Sequence, residues 1–132
     1  MHVVHNNAGV VASGLVGEIS LDLWKWVLDV DLWSVIHGVR TFAPLLTAQG
    51  EGHIVNTAST AGLQGAVADA FRSRAGATLA NDGLDPAEVA QMVLDGIVQN
   101  RFWIITHPAW HGIMADRVAA MGDGVLHHGF GG

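Results

Sequence analysis

The sequence predicts an α/β fold, a partial doubly wound unit in which a small parallel sheet of about three strands carries a long helix. Two short apolar runs, near residues 3–4 and 54–55, each end in polar and glycine residues, as buried parallel strands do. Between them lies an apolar stretch long enough to cross over from one parallel strand to the next. This order of strand, helix and strand indicates one sheet covered by helices.

The first strand is predicted at Val3 and Val4, buried on both faces and ending in a turn that contains Asn7 and Gly9. A glycine-containing loop over residues 10–17 follows. The loop therefore starts at the carboxyl end of the strand, the end at which open α/β sheets bind ligands.

The long helix is predicted over residues 20–48. Ser20 is its N-cap residue, and Asp22 lies in the first turn, where the helix dipole favours a carboxylate. The helix ends at Pro44 or at the turn of residues 50–52. Large apolar residues occupy nearly every face: Trp24, Trp26, Leu28, Leu32, Trp33 and Ile36. Such a helix is expected to be buried on several sides.

The second strand is predicted at Ile54 and Val55. From residue 64 to residue 82 the composition shifts to Ala, Gly, Ser and Arg, which indicates a junction without clear periodicity. A helix then starts with Asp85 as N-cap and Pro86 at the first helical position. A third strand is predicted over residues 102–106 and a closing helix over residues 110–121.

The chain length of 132 residues fits one domain that could bury about two-thirds of its unfolded surface. The net charge is −6 and the six basic residues are scattered, so nucleic acid is not an expected partner. There is no cysteine, no signal-like start and no apolar run of about 18 residues. These features favour a soluble, cytoplasmic protein without a membrane anchor.

Two motifs lie at either end of the long helix. Asn6-Asn7-Ala8-Gly9 follows the first strand, and His-Ile-Val-Asn-Thr-Ala-Ser-Thr-Ala-Gly spans residues 53–62. With the helix of residues 24–40 between them, they resemble the short-chain dehydrogenase/reductase family over residues 1–65 and, more loosely, 84–121. The resemblance implies a partial Rossmann-like sheet, NAD or NADP as cofactor, and an alcohol or carbonyl compound as small-molecule substrate.

The resemblance divides the chain into four parts. Residues 1–65 correspond to the central strand, helix and strand, and residues 66–83 to a junction loop. Residues 84–121 form a C-terminal helix, strand and helix, and residues 122–132 a flexible glycine-rich tail.

The resemblance also implies roles for two groups of residues at the strand ends. Ser59 would hydrogen-bond the substrate oxygen, although an ordinary turn serine is an equal alternative. Asn7, Ala8 and Gly9 would line the ribose side of the cofactor, while a role in bracing the turn and the sheet is the favoured alternative.

Asp31 stands where the family has an asparagine whose backbone carbonyl holds a water in the proton relay and whose side chain kinks the helix. The carboxyl of Asp31 lies between Leu28 and Val35 on an apolar stripe, so burial would raise its pKa unless the site is wet. A half-exposed helix aspartate with a local partner is the favoured alternative.

Two family hallmarks are missing. The general acid/base is a tyrosine followed four residues later by a lysine, yet this sequence has no tyrosine, and its one lysine, Lys25, precedes the serine motif. The glycine-rich turn that holds the pyrophosphate should precede Asn6 by most of two βαβ units, but five residues precede it. We therefore expect a truncated member that is catalytically impaired or inactive.

The alternative is a non-enzymatic remnant, or a gene fragment, that self-associates. In the family the long helix packs against the helix that carries the tyrosine and lysine. An apolar helix face without that cover predicts a homo-oligomer formed through residues 20–48. No metal site is expected: Pro108 separates His107 from His111, and His127 and His128 lie in the tail.

Overall fold

Two short strands form a parallel sheet in the computed structural model of this protein, which describes residues 1–12, 14–59 and 83–123. β1 (Val3–Asn6) pairs with β2 (His53–Asn56) in a register that sets Val3 beside His53 and Asn6 beside Asn56. The α/β class with a small parallel sheet is thus confirmed.

The long helix spans the gap between the two strands and consists of three consecutive segments. α1 (Leu21–Leu28) is followed by a π-helical segment (Asp29–Trp33) and by α2 (Ser34–Gln49). We call the three together the central helix. Its predicted N-cap is confirmed, because the Ser20 hydroxyl oxygen accepts the Leu23 backbone N–H at 3.2 Å.

The π segment has a local cause in its hydrogen bonds. The Ser34 backbone N–H donates to the carbonyl of Asp29, five residues back, instead of to the usual partner four residues back. The carbonyl that this shift bypasses is Val30, and it accepts the Ser34 hydroxyl instead. A serine side chain therefore satisfies the group that the extra residue would otherwise leave unpaired.

Gly50 ends the central helix in a left-handed conformation, with φ of 81° and its N–H donating to the carbonyls of Leu46 and Thr47. Pro44 lies inside α2 without ending it, so of the two predicted stops the glycine turn is correct. Gly52, with φ of 133°, brings the chain back to the sheet, and a Cβ there would lie 2.6 Å from Leu46 Cδ2.

The strands are covered less than the sequence predicts. Along β1, Val4 and Asn6 are half-buried while Val3 and His5 are exposed. This alternation means that one face of the strand is covered, and α2 packs on both strands. The prediction of a strand buried on both faces is wrong, because within residues 1–58 helical cover is supplied by α2 on one side.

Leu46, at 7% exposure, is the one buried apolar side chain in the described ranges. The expected core of a 132-residue domain is therefore not formed by these residues. The central helix, predicted to be buried on several sides, instead exposes its large side chains: Trp24 38%, Trp26 47%, Leu28 44%, Leu32 50% and Trp33 49%. Hydrophobic periodicity predicts which residues are stabilised by burial, but it does not show whether another element is present to bury them.

The chain divides into two compact units, residues 1–58 and residues 59–132. In the second unit, α3 (Pro86–Val98) begins as predicted, with the Asp85 carboxylate accepting the Ala87 N–H at 2.7 Å. The predicted closing helix is also present as α4 (Trp110–Asp123), and it runs two residues beyond the predicted end.

α3 ends in a Schellman motif built around Asn100, which has φ of 52°. The Arg101 N–H donates to the Gly96 carbonyl at 2.8 Å, and the Asn100 N–H donates to Ile97 at 3.0 Å. Gly96 is buried, and a Cβ there would lie 2.6 Å from Ile104 Cγ1. Close approach of the next segment therefore requires a glycine in this helix.

The third strand predicted over residues 102–106 is wrong. The segment has no strand hydrogen bonding, and Phe102 and Trp103 are 87% and 74% exposed, with their rings edge to face at 5.0 Å. Apolar and β-branched composition gives strand propensity, but a strand also needs a neighbour to form its ladder. The sheet of the described residues ends at two strands.

Some predictions lie outside the described residues: nearly all of the junction of residues 66–83, the last three residues of the motif of residues 53–62, and the tail beyond Asp123. Among the residues that are described, no helix combines the length and the apolar character needed to cross a bilayer.

Candidate functional site

The candidate site lies at the carboxyl ends of β1 and β2, where the parallel register brings two asparagines side by side. Asn6 Nδ2 donates to Asn56 Oδ1 at 2.8 Å. α2 closes on this pair through Gly38, since a Cβ on Gly38 would lie 2.9 Å from Asn6 Cγ and closer still to Oδ1. The helix backbone therefore rests directly on the amide of Asn6.

Thr57 continues the strand end and links it to the loop after β1. Its backbone N–H donates to the Asn6 carbonyl at 3.0 Å, which extends the ladder by one bond. Its hydroxyl donates to Asn7 Oδ1 at 2.7 Å and lies 2.9 Å from His5 Nε2. A hydroxyl has one proton, so the bond to Asn7 requires His5 Nε2 to be the donor to Thr57.

Asp31 joins the same loop from the helix side. Its Oδ1 accepts the backbone N–H of Val10 at 2.9 Å, 21 residues away in the chain. The side chain is exposed, in contrast to the apolar environment considered from the sequence, and its partner is distant rather than local. Because Asp31 lies in the π segment, the widened turn and the loop that follows Asn7 meet at this carboxylate.

Ala8 and Gly9 lie in the exposed loop between Asn7 and Val10. A Cβ on Gly9 would meet Asp31 Oδ1 at 3.8 Å, an ordinary van der Waals distance. The described part of the protein thus has room for a side chain at Gly9.

Ser59 is exposed and is the first residue of the second compact unit, three residues beyond the end of β2 in the chain. The structure therefore places Gly9 near Asp31 in the first unit, whereas Asn7 in the same loop bonds to Thr57. The role of Ser59 stays a prediction from the sequence.

A small apolar hollow adjoins this region of the first unit. It lies between the loop after β1 and the start of the central helix, and five apolar side chains line it: Ala12, Ile19, Leu23, Trp24 and Val27. Such a mainly apolar lining suits an apolar group.

Two ion pairs lie in the described part of the first unit. Lys25 pairs with Asp29 one turn along the central helix, and His2 contacts Glu51 at 3.1 Å at the opposite ends of the strands. His107 contacts its neighbour Thr106 at 2.9 Å. In the described residues no three histidine, aspartate or glutamate side chains are grouped as metal ligands would be.

Sequence reasoning missed His5, Thr57 and the pairing of Asn6 with Asn56. These contacts join residues 50 to 52 positions apart, so only the register of the two strands reveals them. One signal was available: an asparagine, Asn6 or Asn56, follows each predicted strand within two residues, and parallel strands end at the same edge of a sheet.

Comparison with known proteins gives matches to this part of the chain. Residues 1–71 match the sequence model of the family described as short chain dehydrogenase. A putative oxidoreductase, SadH, from Mycobacterium tuberculosis is 41% identical over 63 residues, which cover 48% of this chain and 23% of that protein. Cyclohexanol dehydrogenase from Acinetobacter sp. strain SE19 is 41% identical over 66 residues, covering 49% of this chain and 26% of that enzyme.

Comparison with solved structures gives a match to the same family. A short-chain dehydrogenase/reductase from Burkholderia phymatum, whose crystal structure is in complex with NAD, superposes with a TM-score of 0.83 at 27% identity. The superposition covers 95% of this chain and 68% of that one. The sequence matches span only about a quarter of the length of the curated relatives.

Proposed function

Because this chain belongs to the short-chain dehydrogenase family, we propose that its function is that of an NAD(P)-dependent oxidoreductase acting on an alcohol or carbonyl compound. We further propose that this chain by itself is catalytically impaired or inactive. The observation that supports the first part is the hydrogen-bonded edge at the ends of β1 and β2, where Asn7 bonds to Thr57 and Asp31 bonds to Val10, the neighbour of Gly9.

The residues at this edge fit one part of a nicotinamide dinucleotide. Asn7 uses its side-chain oxygen within the protein and retains N–H donors, which suit ribose hydroxyl or carbonyl oxygens. Gly9 is not required by the packing around it, so a glycine there suits the close approach of a ligand to the backbone. Asn7, Ala8 and Gly9 would thus line the ribose side of the cofactor.

A bound nicotinamide dinucleotide supplies hydride transfer to or from the substrate carbon. In this proposal Ser59 donates a hydrogen bond to the substrate oxygen, and the backbone carbonyl of Asp31 holds a water on the proton path. The proton itself needs a general acid or base at the substrate oxygen. With no tyrosine in the sequence and Lys25 engaged with Asp29, this chain lacks the pair that the family uses.

The test is a turnover assay on the chain with NADH, NADPH and their oxidised forms against a panel of secondary alcohols and ketones. We expect no change in the absorbance of the reduced nicotinamide above background. A turnover that disappears in Ser59→Ala would contradict the proposed inactivity and would identify the serine as catalytic. An equal background in both proteins supports it.

Cofactor binding is a separate measurement. Since Asn7, Ala8 and Gly9 supply only the ribose side, we expect a dissociation constant weaker than micromolar by calorimetry. A micromolar value, about −8 kcal/mol, would mean that another loop of this chain recognises the phosphates. No detectable binding at all would contradict the assignment of the strand-end edge to a cofactor.

A second candidate function is self-association through the central helix, without catalysis. It is supported by the exposure of Trp26 at 47%, Leu32 at 50% and Trp33 at 49%. Exposed apolar patches of this kind commonly mark contact surfaces. For either function we place the protein in the cytoplasm, a proposal that the absence of cysteine favours.

A further inference from the structure

Three side chains at the strand ends form a directed chain of hydrogen bonds. His5 lies on β1, Asn7 lies one residue beyond its end, and Thr57 lies one residue beyond the end of β2. The distances are 2.9 Å from His5 Nε2 to Thr57 Oγ1 and 2.7 Å from Thr57 Oγ1 to Asn7 Oδ1. The backbone bond from Thr57 to Asn6 fixes the threonine in place at the same time.

The order of donors in this chain follows from proton counting. The threonine hydroxyl donates its single proton to Asn7 Oδ1, so it receives a proton from His5 Nε2–H. In the structure Asn7 Oδ1 faces the hydroxyl; the reverse order, in which the amide NH₂ donates to Thr57 and Thr57 donates to His5 Nε2, would require the other histidine tautomer. The side-chain oxygen of Asn7 therefore faces the protein, and its two N–H donors are what the side chain can offer to a ligand.

We propose that Thr57 is a positioning residue. Its hydroxyl, which accepts a hydrogen bond from His5, orients the amide of Asn7 so that the N–H groups of Asn7 can donate to a bound nicotinamide dinucleotide. The side chain of Asn7 would therefore bind an oxygen acceptor, such as a ribose oxygen, in preference to a group that can only donate a hydrogen bond. The identity of the ligand rests on the proposed function. The orientation of Asn7 rests on the hydrogen bonds alone.

The test compares Thr57→Val with Thr57→Ser. Valine keeps the shape and β-branching of threonine but removes the hydroxyl, whereas serine keeps the hydroxyl. The first readout is made without ligand, on ¹⁵N-labelled protein at about pH 8. We expect the Asn7 side-chain amide and His5 Nε2 signals to shift in Thr57→Val and to stay near the wild-type positions in Thr57→Ser. Unshifted signals in Thr57→Val would overturn the proposal.

The second readout is titration with NAD⁺, followed by the same spectra because these suit weak binding. We expect Thr57→Val to weaken binding about threefold to tenfold, the range of one net hydrogen bond, and Thr57→Ser to restore most of it. Equal binding by wild type and Thr57→Val would overturn the positioning role and leave the proposed function standing. A wild type without any NAD⁺-induced shift would contradict the cofactor assignment itself, and the ligand-free spectra would then decide whether Thr57 holds Asn7.

Discussion

At the residue scale, one carboxylate connects the helix to the loop of the candidate site. Asp31 takes the N–H of Val10, a backbone donor that β1 no longer satisfies because the strand has already ended. The family resemblance places an asparagine at this position, and an asparagine oxygen accepts the same bond. An asparagine could therefore make the same hydrogen bond, and Asp31 differs from it in carrying a negative charge.

We predict that Asp31→Ala destabilises the first unit by about 1 kcal/mol, since it removes the acceptor of a backbone N–H at a partly solvated site. Asp31→Asn should cost less than about half of that, because the acceptor remains. Urea denaturation followed by tryptophan fluorescence measures both changes.

Asp29→Ala is the matched control, a carboxylate in the same π segment whose partner is the exposed Lys25. An exposed i,i+4 pair contributes about 0.3 to 0.5 kcal/mol, so this variant should lose less than Asp31→Ala. Equal losses for Asp31→Asn and Asp31→Ala would show that charge, not the hydrogen bond to Val10, is what Asp31 contributes.

At the element scale, the central helix approaches the strand ends at a position that lacks a side chain. Gly38 of α2 rests on the amide of Asn6, which is itself bonded to Asn56. The amide of Asn6 can move away from Gly38 only by rotation of the Asn6 side chain, and that rotation would break the hydrogen bond to Asn56. The closeness of helix and strand ends thus depends on a glycine inside a helix, where alanine is otherwise the better residue.

We predict that Gly38→Ala destabilises the first unit by about 1 kcal/mol, because overpacking of about 1 to 3 kcal/mol exceeds the gain of about 1 kcal/mol in helix propensity. Gly112→Ala is the control, a helical glycine in α4 at which an added Cβ would meet no atom of the described residues within 4 Å. It should gain up to about 1 kcal/mol. Denaturation measurements on both variants test the opposite signs.

A double-mutant cycle identifies the cause. If the amide of Asn6 is the obstacle, Asn6→Ala combined with Gly38→Ala should lose less stability than the two single changes added together. Strict additivity of the two losses would mean that the alanine meets something other than Asn6.

The end of α3 gives a second test at this scale. Asn100 adopts φ of 52° to complete the Schellman motif, a conformation open to asparagine and glycine but strained for other residues. We predict that Asn100→Ala weakens the helix end by about 1 kcal/mol and that Asn100→Gly does not. Amide hydrogen exchange at Arg101, whose N–H bonds to Gly96, reports the change directly. Equal protection in both variants would contradict it.

Local signals predicted the helices well. Ser20 and Asp85 mark the starts of α1 and α3 because a capping bond joins residues two or three positions apart, which the sequence displays. The π segment was not predicted, since its hydroxyl bond from Ser34 to Val30 becomes visible only once the backbone is known.

Contacts between distant residues explain the failures. The apolar run of residues 102–106 has strand propensity, but no ladder partner is present among the described residues. At the candidate site, the family resemblance predicted roles for Asn7 and Asp31. Roles for Thr57 and His5 were not predicted, because their hydrogen bonds cross from one strand to the other.

At the scale of the whole molecule, apolar surface exceeds the cover that the described residues provide. Among them Leu46 is the one buried apolar side chain, while the tryptophans of the central helix remain near half exposure. Trp33 has a partner in His37, at a ring separation of 5.8 Å, but this contact leaves 49% of the tryptophan exposed. Burial of such a side chain contributes roughly 1.5 to 3 kcal/mol, so a second copy of the chain could gain from covering several of them.

We predict that the protein self-associates through the central helix and that Trp33→Glu shifts it toward monomer in sedimentation velocity. A glutamate at the contact would place a charge where apolar cover is needed. In each protomer, burial of Trp26, Trp33 and Ile36 would offset the entropy lost on association. Trp33→Glu would remove the contribution of one of these three side chains. Trp103→Glu is the matched control, because Trp103 is 74% exposed but lies in the second unit, and it should leave the sedimentation profile unchanged. Dissociation by Trp103→Glu would move the interface to the second unit, and a wild type that sediments as a monomer would show that the helix faces need no second copy.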